Sequence, residues 1–409
     1  MTGPILFEIT AADSHQQIVL PVIHLLKSRG IPVIVYSDCE LLRTASDPES
    51  LAREGIPFVQ LAKSPLPVSQ TDWEEAALPI RKRIPSEVER VRPLLVVVLN
   101  DRNFPSNVYV ETARRLKLPA LLVQESLRKD LFQRPPWSKL FARWRRKARL
   151  GIEEGLQRYG QGGCDAVAAW GETSREYFLR VGVPDSRIII TGNPRIDQLA
   201  GADFSAEARR IRAETGCAPG DFLFTFLSSP IERMMIVSKG EKLAALGRLI
   251  EWVSILRRDP AWKNLNLAFK LHRSEDPLPL QSILNQRAAS AWARIVDRPL
   301  YPLLQASQAA LMFSTTAGLE AALLSVPIGI FEFSKPLDDW DLVGRGVAEG
   351  IRSQDDLAGF VRKAREDGEF GSRGAKAASF YLANLGHAAE AVAGLAARMA
   401  GYADPGSTR

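Results

Sequence analysis

The chain has 409 residues and a formal net charge of +6, and its hydrophobic and charged fractions, 46% and 24%, are those of a globular protein. This length exceeds one ordinary hydrophobic core, and no apolar run approaches the roughly 18 residues of a membrane span, so the sequence predicts two domains outside the bilayer. The three cysteines, Cys39, Cys164 and Cys217, are odd in number and widely spaced, which favours a cytoplasmic location and argues against a disulfide framework or a zinc site.

The first half of the chain alternates short apolar segments with helix-length segments, the pattern of a doubly wound α/β domain. The N-terminus has no basic segment followed by an apolar one, so we expect it to form the first buried strand and not a signal peptide. Helices are predicted at about His15–Ser28, ended by Gly30, and at Val108–Leu116. The predicted strands are Ile5–Ile9, Val33–Tyr36, Leu94–Leu99, Ala120–Val123, Ala166–Ala169 and Ile188–Thr191.

A basic segment, Trp137–Arg149, interrupts this series. On a helix its apolar residues would form one stripe: Trp137, Leu140, Phe141, Trp144 and Ala148. A basic amphipathic helix rich in tryptophan suits an anionic membrane surface, so the segment predicts peripheral attachment to the inner face of the membrane. The alternative is that the stripe packs on the sheet and the charges are solvated. No nucleic-acid-binding module surrounds the segment, so nucleic acid is not an expected partner.

The second half of the chain restarts the α/β pattern. Its predicted strands are Phe222–Leu227, Leu267–Lys270, Arg294–Val296, Ala309–Phe313 and Pro327–Phe331. Its predicted helices are Lys242–Leu256, Leu278–Ala291, Asp355–Glu366 and Ala375–Met399. We therefore expect two doubly wound Rossmann-like domains facing a cleft: an N-terminal domain at 1–200 and a C-terminal domain at 201–375. The segment 376–409 is expected to be a helix that crosses back to the N-domain, with a frayed tail.

Ligands of open α/β sheets bind outside the carboxyl ends of the strands, so the polar residues that follow strands are the candidate site residues. In the N-domain they are Asp13, His15, Asp101 and Glu125. In the C-domain they are Ser228, Ser229, His272, Arg273, Ser314, Thr315, Thr316, Gly318 and Glu320.

The turn Ser314–Glu320 is the most informative of these segments. Its small hydroxyl residues and Gly318 would let backbone N–H groups approach an anion, and Glu320 could accept a hydrogen bond from a sugar hydroxyl. A nucleotide-sugar, with its diphosphate and ribose, would satisfy both features. The alternative is an ordinary β-α-β crossover with a serine or threonine cap.

No acidic cluster at a strand end suggests a metal site, and no cofactor is expected. Asp38, Asp338 and Asp339 are isolated or loop acids that we expect at the surface. The residues Gly192, Asn193, Arg195 and Asp197 are expected to fix the hinge between the domains, with Asp197 capping a helix.

Several segments resemble GT-B-fold enzymes of surface-polysaccharide synthesis. They are Trp170–Thr173, Ile188–Asp197, Lys270–His272 and, about forty residues later, Ser314–Pro327. The resemblance covers roughly residues 90 to 335. It implies a glycosyltransferase that needs no metal and whose C-domain binds a nucleotide-sugar, a UDP-sugar first of all.

The resemblance also implies roles for single residues. Glu320 matches the carboxylate that holds the ribose, and His272 and Arg273 match a basic pair that faces the donor phosphates. An inverting transferase needs a base for the acceptor hydroxyl. The candidates are the four residues that follow N-domain strands, and of these we expect Asp13 or Glu125 in this role before Asp101 or His15. The acceptor is expected to be lipid-linked or near the membrane, in line with the basic segment.

UDP-N-acetylglucosamine 2-epimerases are the second resemblance. Gln124–Arg128 is similar to their His-Val-Glu-Ala-Gly-Leu-Arg segment, and Asp101 falls where they carry an acid. However, their first C-domain strand ends in His-Arg-x-Glu-Asn, whereas here it is followed by Ser228–Arg233, which has no histidine. An epimerase-like enzyme is therefore the alternative. A CDP-polyol phosphotransferase and a degenerate GT-B module that only binds a glycan or protein are the further alternatives.

Overall fold

The computed structural model describes residues 3–10, 12–38, 48–61, 70–127, 144, 158–233, 236–313, 315–333, 337–338 and 340–402, without the side chains of 12–14, 48–50 and 70–76. Its strands are β1 (Ile5–Ile9), β2 (Val33–Ser37), β3 (Phe58–Val59), β4 (Leu95–Val98), β5 (Ala120–Val123), β6 (Ala166–Ala169), β7 (Ile188–Ile190), β8 (Phe222–Leu227), β9 (Leu265–Lys270), β10 (Ala293–Ile295), β11 (Ala309–Met312), β12 (Ile328–Phe331) and β13 (Ala348–Ile351).

The α-helices in the same parts of the chain are α1 (Ala12–Ser28), α2 (Pro48–Arg53), α3 (Gln70–Val91), α4 (Ser106–Arg115), α5 (Glu172–Arg180), α6 (Ser205–Glu214), α7 (Lys239–Leu256), α8 (Leu278–Gln286), α9 (Leu300–Ala306), α10 (Ala317–Leu323), α11 (Gln354–Glu366), α12 (Phe370–Ala378) and α13 (Ala388–Met399).

The chain divides into two compact units: unit 1 comprises Met1–Ala200 and Tyr381–Arg409, and unit 2 comprises Gly201–Phe380. Unit 1 holds a sheet with the strand order β3-β2-β1-β4-β5-β6-β7, and unit 2 holds one with the order β10-β9-β8-β11-β12-β13. Every pairing in both sheets is parallel. The predicted fold class, two doubly wound Rossmann-like α/β sheets, is confirmed.

Alternation along the strands explains the two cores of unit 1. In β1, Ile5, Phe7 and Ile9 pack in one apolar cluster with residues of α1 and α13, whereas Leu6 packs in a second cluster with residues of α3 and α4. Strands of a parallel sheet are covered by helices on both faces and read as continuous apolar runs. β1 breaks that rule at Glu8, whose side chain is completely buried.

The C-terminal segment differs from the prediction of one helix over Ala375–Met399, which is wrong. The backbone leaves the helical conformation between α12 and α13, with φ values of 52° at Asn384 and 86° at Gly386. α13 begins where the carboxylate of Asp197 accepts hydrogen bonds from the backbone N–H groups of Gly386, Ala388 and Ala389 at 3.0, 3.1 and 2.7 Å. A carboxylate at a helix N-terminus satisfies donors that the helix itself leaves unpaired.

Gly192 allows this arrangement, because a Cβ atom there would lie 2.3 Å from the carbonyl oxygen of Ala383. Its φ of 85° also falls in the left-handed region that favours glycine. Asn193 then caps a 3₁₀ turn at Pro194–Leu199, its side chain accepting a hydrogen bond from the N–H of Arg195 at 3.1 Å.

Two helical glycines of unit 2 give a stability test of the packing. A Cβ atom on Gly371, at the start of α12, would lie 1.9 Å from the backbone oxygen of Ser325, whereas one on Gly359, within α11, meets nothing within 4 Å. We expect Gly371→Ala to destabilise the protein by about 1–3 kcal/mol, because backbone must move. Gly359→Ala should stabilise it by about 0.5–1 kcal/mol through helix propensity. Urea unfolding of both variants checks this, and equal effects would contradict the packing.

Candidate functional site

The strand orders place one topological switch point in each unit. In unit 1 the order reverses between β1 and β4, and in unit 2 between β8 and β11. Open α/β sheets bind ligands outside the carboxyl ends of the strands at such points. The described residues that follow these strands are Thr10 and Asn100 in unit 1, and Ser228, Thr315 and Thr316 in unit 2.

At the switch point of unit 1, Glu125 is held by two side chains. Its Oε2 lies 2.5 Å from Nε2 of His15, and its Oε1 accepts a hydrogen bond from Nδ2 of Asn100 at 2.8 Å. Asn100 is itself fixed, because its Oδ1 accepts hydrogen bonds from the N–H groups of Arg102 and Asn103 at 3.0 Å each. The carboxylate thus follows β5 and is oriented by groups that follow β1 and β4.

His15 has both ring nitrogens engaged. Its Nδ1 accepts a hydrogen bond from the N–H of Thr10 at 3.2 Å, so in the neutral ring the proton lies on Nε2 and is donated to Glu125. His15 is 2% exposed, whereas the side chain of Glu125 is 17% exposed. Of this pair, Glu125 is the group that an incoming molecule can reach.

Asp101 holds the local backbone. Its two carboxylate oxygens accept hydrogen bonds from the N–H groups of Gly160 and Gly162 at 2.9 and 2.7 Å. This places Tyr159, whose hydroxyl donates to the carbonyl oxygen of Leu99 at 3.0 Å and accepts from the N–H of Glu125 at 3.1 Å. Asp101 therefore supports the position of Glu125 through Tyr159.

Two predicted site residues lie outside the described side chains, Asp13 and Ser314. The predicted membrane segment, Trp137–Arg149, also lies outside the described residues apart from Trp144, which is exposed. Both the roles of these residues and the membrane attachment stay predictions.

Two buried acids lie in and next to the central strands of the unit 1 sheet, and the sequence predicts the burial of neither. Glu8 of β1 and Asp38 after β2 are 0% and 1% exposed, and the expectation that Asp38 lies at the surface is wrong. Asp38 is buried because it follows the buried strand β2 and its Oδ2 accepts a hydrogen bond from the hydroxyl of Tyr109, 71 residues away, at 2.9 Å. Burial raises the pKa of Asp38 to about 7, and burial together with the charges of Asp38 and Glu125 raises the pKa of Glu8 well above its usual value.

At the carboxyl edge of the unit 2 sheet, a buried polar network joins three segments. The hydroxyl of Ser228 donates to Oε1 of Glu275 at 2.8 Å, and the N–H of His272 donates to Oε2 of the same carboxylate at 2.8 Å. Lys242 of α7 donates to Glu275, to the carbonyl oxygen of Ser229 at 2.8 Å and to Glu232 at 2.8 Å. The sequence places Lys242 at the start of a predicted helix, but no pattern in it indicates that Lys242 pairs with Glu275.

His272 presents a ring donor to solvent. Its Nδ1 accepts from the N–H of Ser274 at 3.2 Å and lies 2.8 Å from that residue's hydroxyl, so the proton of the neutral ring lies on Nε2. The side chains of His272 and Arg273 are both exposed.

The first turn of α10 has a packing role of its own. Gly318 of this turn is buried, and a Cβ atom there would lie 2.3 Å from the sulfur of Met312, so the glycine permits close contact of α10 with β11. Thr316 makes no side-chain cap to α10, while the hydroxyl of Thr315 accepts from the N–H of Ala317 at 3.4 Å. Glu320 is 2% exposed. Phosphate contact by this turn and ribose contact by Glu320 stay predictions.

No family model and no curated protein matches this chain in sequence. Among solved structures, the UDP-N-acetylglucosamine 2-epimerase of Neisseria meningitidis bound to UDP-N-acetylglucosamine is 16% identical, with a TM-score of 0.61 over 96% of this chain and 98% of that one. An S. aureus structure with UDP has a TM-score of 0.63, 12% identity and coverage of 97% and 96%. The kitacinnamycin glycotransferase has a TM-score of 0.64, 14% identity and coverage of 98% and 99%. The chain therefore has the fold that GT-B glycosyltransferases share with the 2-epimerases, which confirms the sequence resemblance at the level of fold.

Across the described parts of the chain, no helix combines the length and apolar character needed to cross a membrane. In those same parts, no group of three or more His, Cys, Asp or Glu side chains is arranged to hold a metal ion.

The raised pKa of Asp38 predicts a pH-dependent stability. In the unfolded chain this carboxyl ionises near pH 4, whereas in the folded protein it keeps its proton up to about pH 7. The folded state therefore holds a proton that the unfolded state releases, and stability falls as the pH rises from about 4 to about 7. Asp38→Asn keeps an acceptor for Tyr109 and removes this cost.

We expect Asp38→Asn to gain about 2–3 kcal/mol of stability relative to wild type between pH 5 and pH 8, measured as a rise in its melting temperature relative to that of wild type. Asp185→Asn is the control: the carboxyl of Asp185 hydrogen-bonds Arg175 at the surface and has a lowered pKa, so it is ionised throughout that range. A difference between Asp38→Asn and wild type that does not change with pH would contradict the assignment.

Proposed function

We propose that the protein is a glycosyltransferase that moves a sugar from a nucleotide-diphospho-sugar, a UDP-sugar first of all, to a lipid-linked or membrane-proximal acceptor. The observation that carries the proposal is the orientation of Glu125 at the switch point of unit 1 by His15 and Asn100. The acceptor class rests on the composition of Trp137–Arg149.

Glu125 suits the role of general base. A base must be oriented towards the acceptor hydroxyl and accessible to it. Asn100 and His15 orient the two carboxylate oxygens of Glu125, and its side chain is 17% exposed. Asp101 is less suited, because both of its oxygens accept backbone hydrogen bonds and the residue is 1% exposed.

Unit 2 supplies the groups that suit a departing diphosphate. Glycosyl transfer needs donors aimed at the charge that develops on the leaving group. The Nε2 of His272 and the guanidinium of Arg273 are exposed next to the end of β9, which pairs with β8. Solved structures of this fold have been obtained with UDP, UDP-glucose and UDP-N-acetylglucosamine, which supports a uridine nucleotide as the first candidate.

An epimerase-like activity on a sugar nucleotide is the second candidate, because 2-epimerases are prominent among proteins of the same fold. The residues after β8 speak against it. Ser228, Ser229 and Pro230 stand where those enzymes carry the histidine of their His-Arg-x-Glu-Asn motif. His272, the sole histidine of unit 2, follows β9 instead.

Donor binding is tested first with His272→Ala. Titration calorimetry with UDP should give a Kd at least about 10-fold weaker than for wild type, because a hydrogen bond to a charged group is lost. His387→Ala, an exposed histidine at the start of α13 in unit 1, is the matched control and should bind UDP as wild type does. Equal binding by wild type and His272→Ala would remove His272 from the site.

The base is tested with Glu125→Gln. The substrate is a nucleotide-sugar whose nucleotide binds in the titration. We expect the rate of sugar transfer from this donor to fall by about 10²–10⁴-fold, with the Kd for UDP unchanged. The chain offers a matched control in a second His–Glu pair, His24 and Glu54, 2.6 Å apart at the surface of the same unit. Glu54→Gln should keep the full rate. Full activity of Glu125→Gln would exclude Glu125 as the base.

A further inference from the structure

Glu275 holds the two segments of unit 2 that we expect to face the donor phosphates. Its Oε1 accepts from the hydroxyl of Ser228, which follows β8, and its Oε2 accepts from the backbone N–H of His272, which follows β9. The backbone adds one more link, since the N–H of Ser228 donates to the carbonyl oxygen of Lys270 at 2.9 Å. The side chain of Glu275 is only 6% exposed, so its carboxylate serves its neighbours and not solvent.

Lys242 makes a buried carboxylate possible at this place. An unpaired buried charge is strongly unfavourable, and Lys242, with a side chain 5% exposed, donates directly to Glu275 and to Glu232. The same ammonium group donates to the carbonyl oxygen of Ser229. One lysine thus fixes the backbone after β8 and supplies a counter-charge to the carboxylate that fixes the loop after β9.

Charge excludes a direct role for Glu275 in binding phosphate, because a carboxylate repels an anion. Its hydrogen bonds instead fix the geometry of groups that can attract one. With the Ser228 hydroxyl donating to Glu275, the backbone of Ser228 and Ser229 is held at the switch point. With the N–H of His272 also bound to Glu275, the histidine backbone is anchored while its Nε2 stays exposed.

We propose that Glu275, with Lys242 as its counter-charge, is a positioning residue for the diphosphate of the donor nucleotide. The proposal rests on the proposed function, since it assumes that unit 2 binds a nucleoside diphosphate. The pair orders the loops after β8 and β9 before the ligand arrives, and preorganised donors bind an anion without a further ordering cost.

The test compares the binding of UDP with that of uridine, which lacks the phosphates, by titration calorimetry. Glu275→Gln should raise the Kd for UDP by at least about 10-fold and leave the Kd for uridine unchanged. The reason is that the amide NH₂ group of the glutamine would face a second donor, either Lys242 or the N–H of His272. Lys242→Arg keeps the charge, and a cavity of about 290 Å³ beside Lys242 leaves room for the guanidinium. This conservative variant should bind UDP within about 3-fold of wild type.

The selective loss of UDP binding separates positioning from a general structural role. Two results for Glu275→Gln would overturn the proposal. One is a Kd for UDP equal to that of wild type, and the other is an equal loss of affinity for UDP and for uridine. If Glu275→Gln does not fold, the double variant Lys242→Met/Glu275→Gln removes the ion pair without leaving the buried Lys242 ammonium short of a counter-charge, and the same two outcomes apply. A wild-type protein that binds neither UDP nor any other nucleotide overturns the proposed function itself, which is a different result from an unaffected variant.

Discussion

The burial of both faces of two parallel sheets is the constraint on which the rest of the structure depends. Helices cover the strands on each side, so a polar side chain within a strand has no route to water. Charged and hydrogen-bonding groups therefore gather at the strand ends, where loops such as those at Asn100, Ser228 and His272 hold them. Glu8 lies inside β1 instead, and its raised pKa is the consequence of placing a carboxyl inside such a sheet. The neighbouring charges of Asp38 and Glu125 increase that cost, so the buried acids and the candidate base are electrostatically coupled.

Parallel topology also brings distant residues together. His15 and Glu125 are 110 positions apart in the chain, yet they meet because β1, β4 and β5 are consecutive strands of the sheet. In unit 2 the same principle brings Glu275, which follows β9, to Ser228, which follows β8, and to Lys242 of α7, 33 positions away in the chain. Each unit thus gathers the partners of a carboxylate from neighbouring strands, although the partners differ in kind.

The sequence predicts the elements whose physical signal is local. The apolar strands β1, β5, β6 and β8 coincide with the predicted segments, because continuous hydrophobic runs bounded by polar residues have few other interpretations. β3, with two residues, and β13, which contains Glu349 and Gly350, carry too little apolar pattern to be found. The break before α13 was missed because an alanine-rich stretch favours helix, whereas the cap that ends the interruption comes from Asp197, 189 residues away from Gly386. The same holds for the candidate site. Acids at strand ends, such as Glu125, can be predicted because they follow an apolar segment, but the hydrogen bond of Tyr109 to Asp38 depends on tertiary packing.

The surroundings of the two carboxylates argue that they have different tasks. Glu125 is oriented by an amide and an imidazole and its side chain remains partly accessible, which suits a group that is to meet a substrate. Glu275 is paired with a lysine, accepts from a hydroxyl and a backbone N–H, and is almost fully buried, so its hydrogen-bonding capacity is used within the protein. Exchanging the two environments would spoil both roles: an ammonium group beside a base stabilises the carboxylate and weakens its basicity, and an uncompensated carboxylate beside a diphosphate repels it. The electrostatics therefore support the proposed division, with proton transfer in unit 1 and anion binding in unit 2.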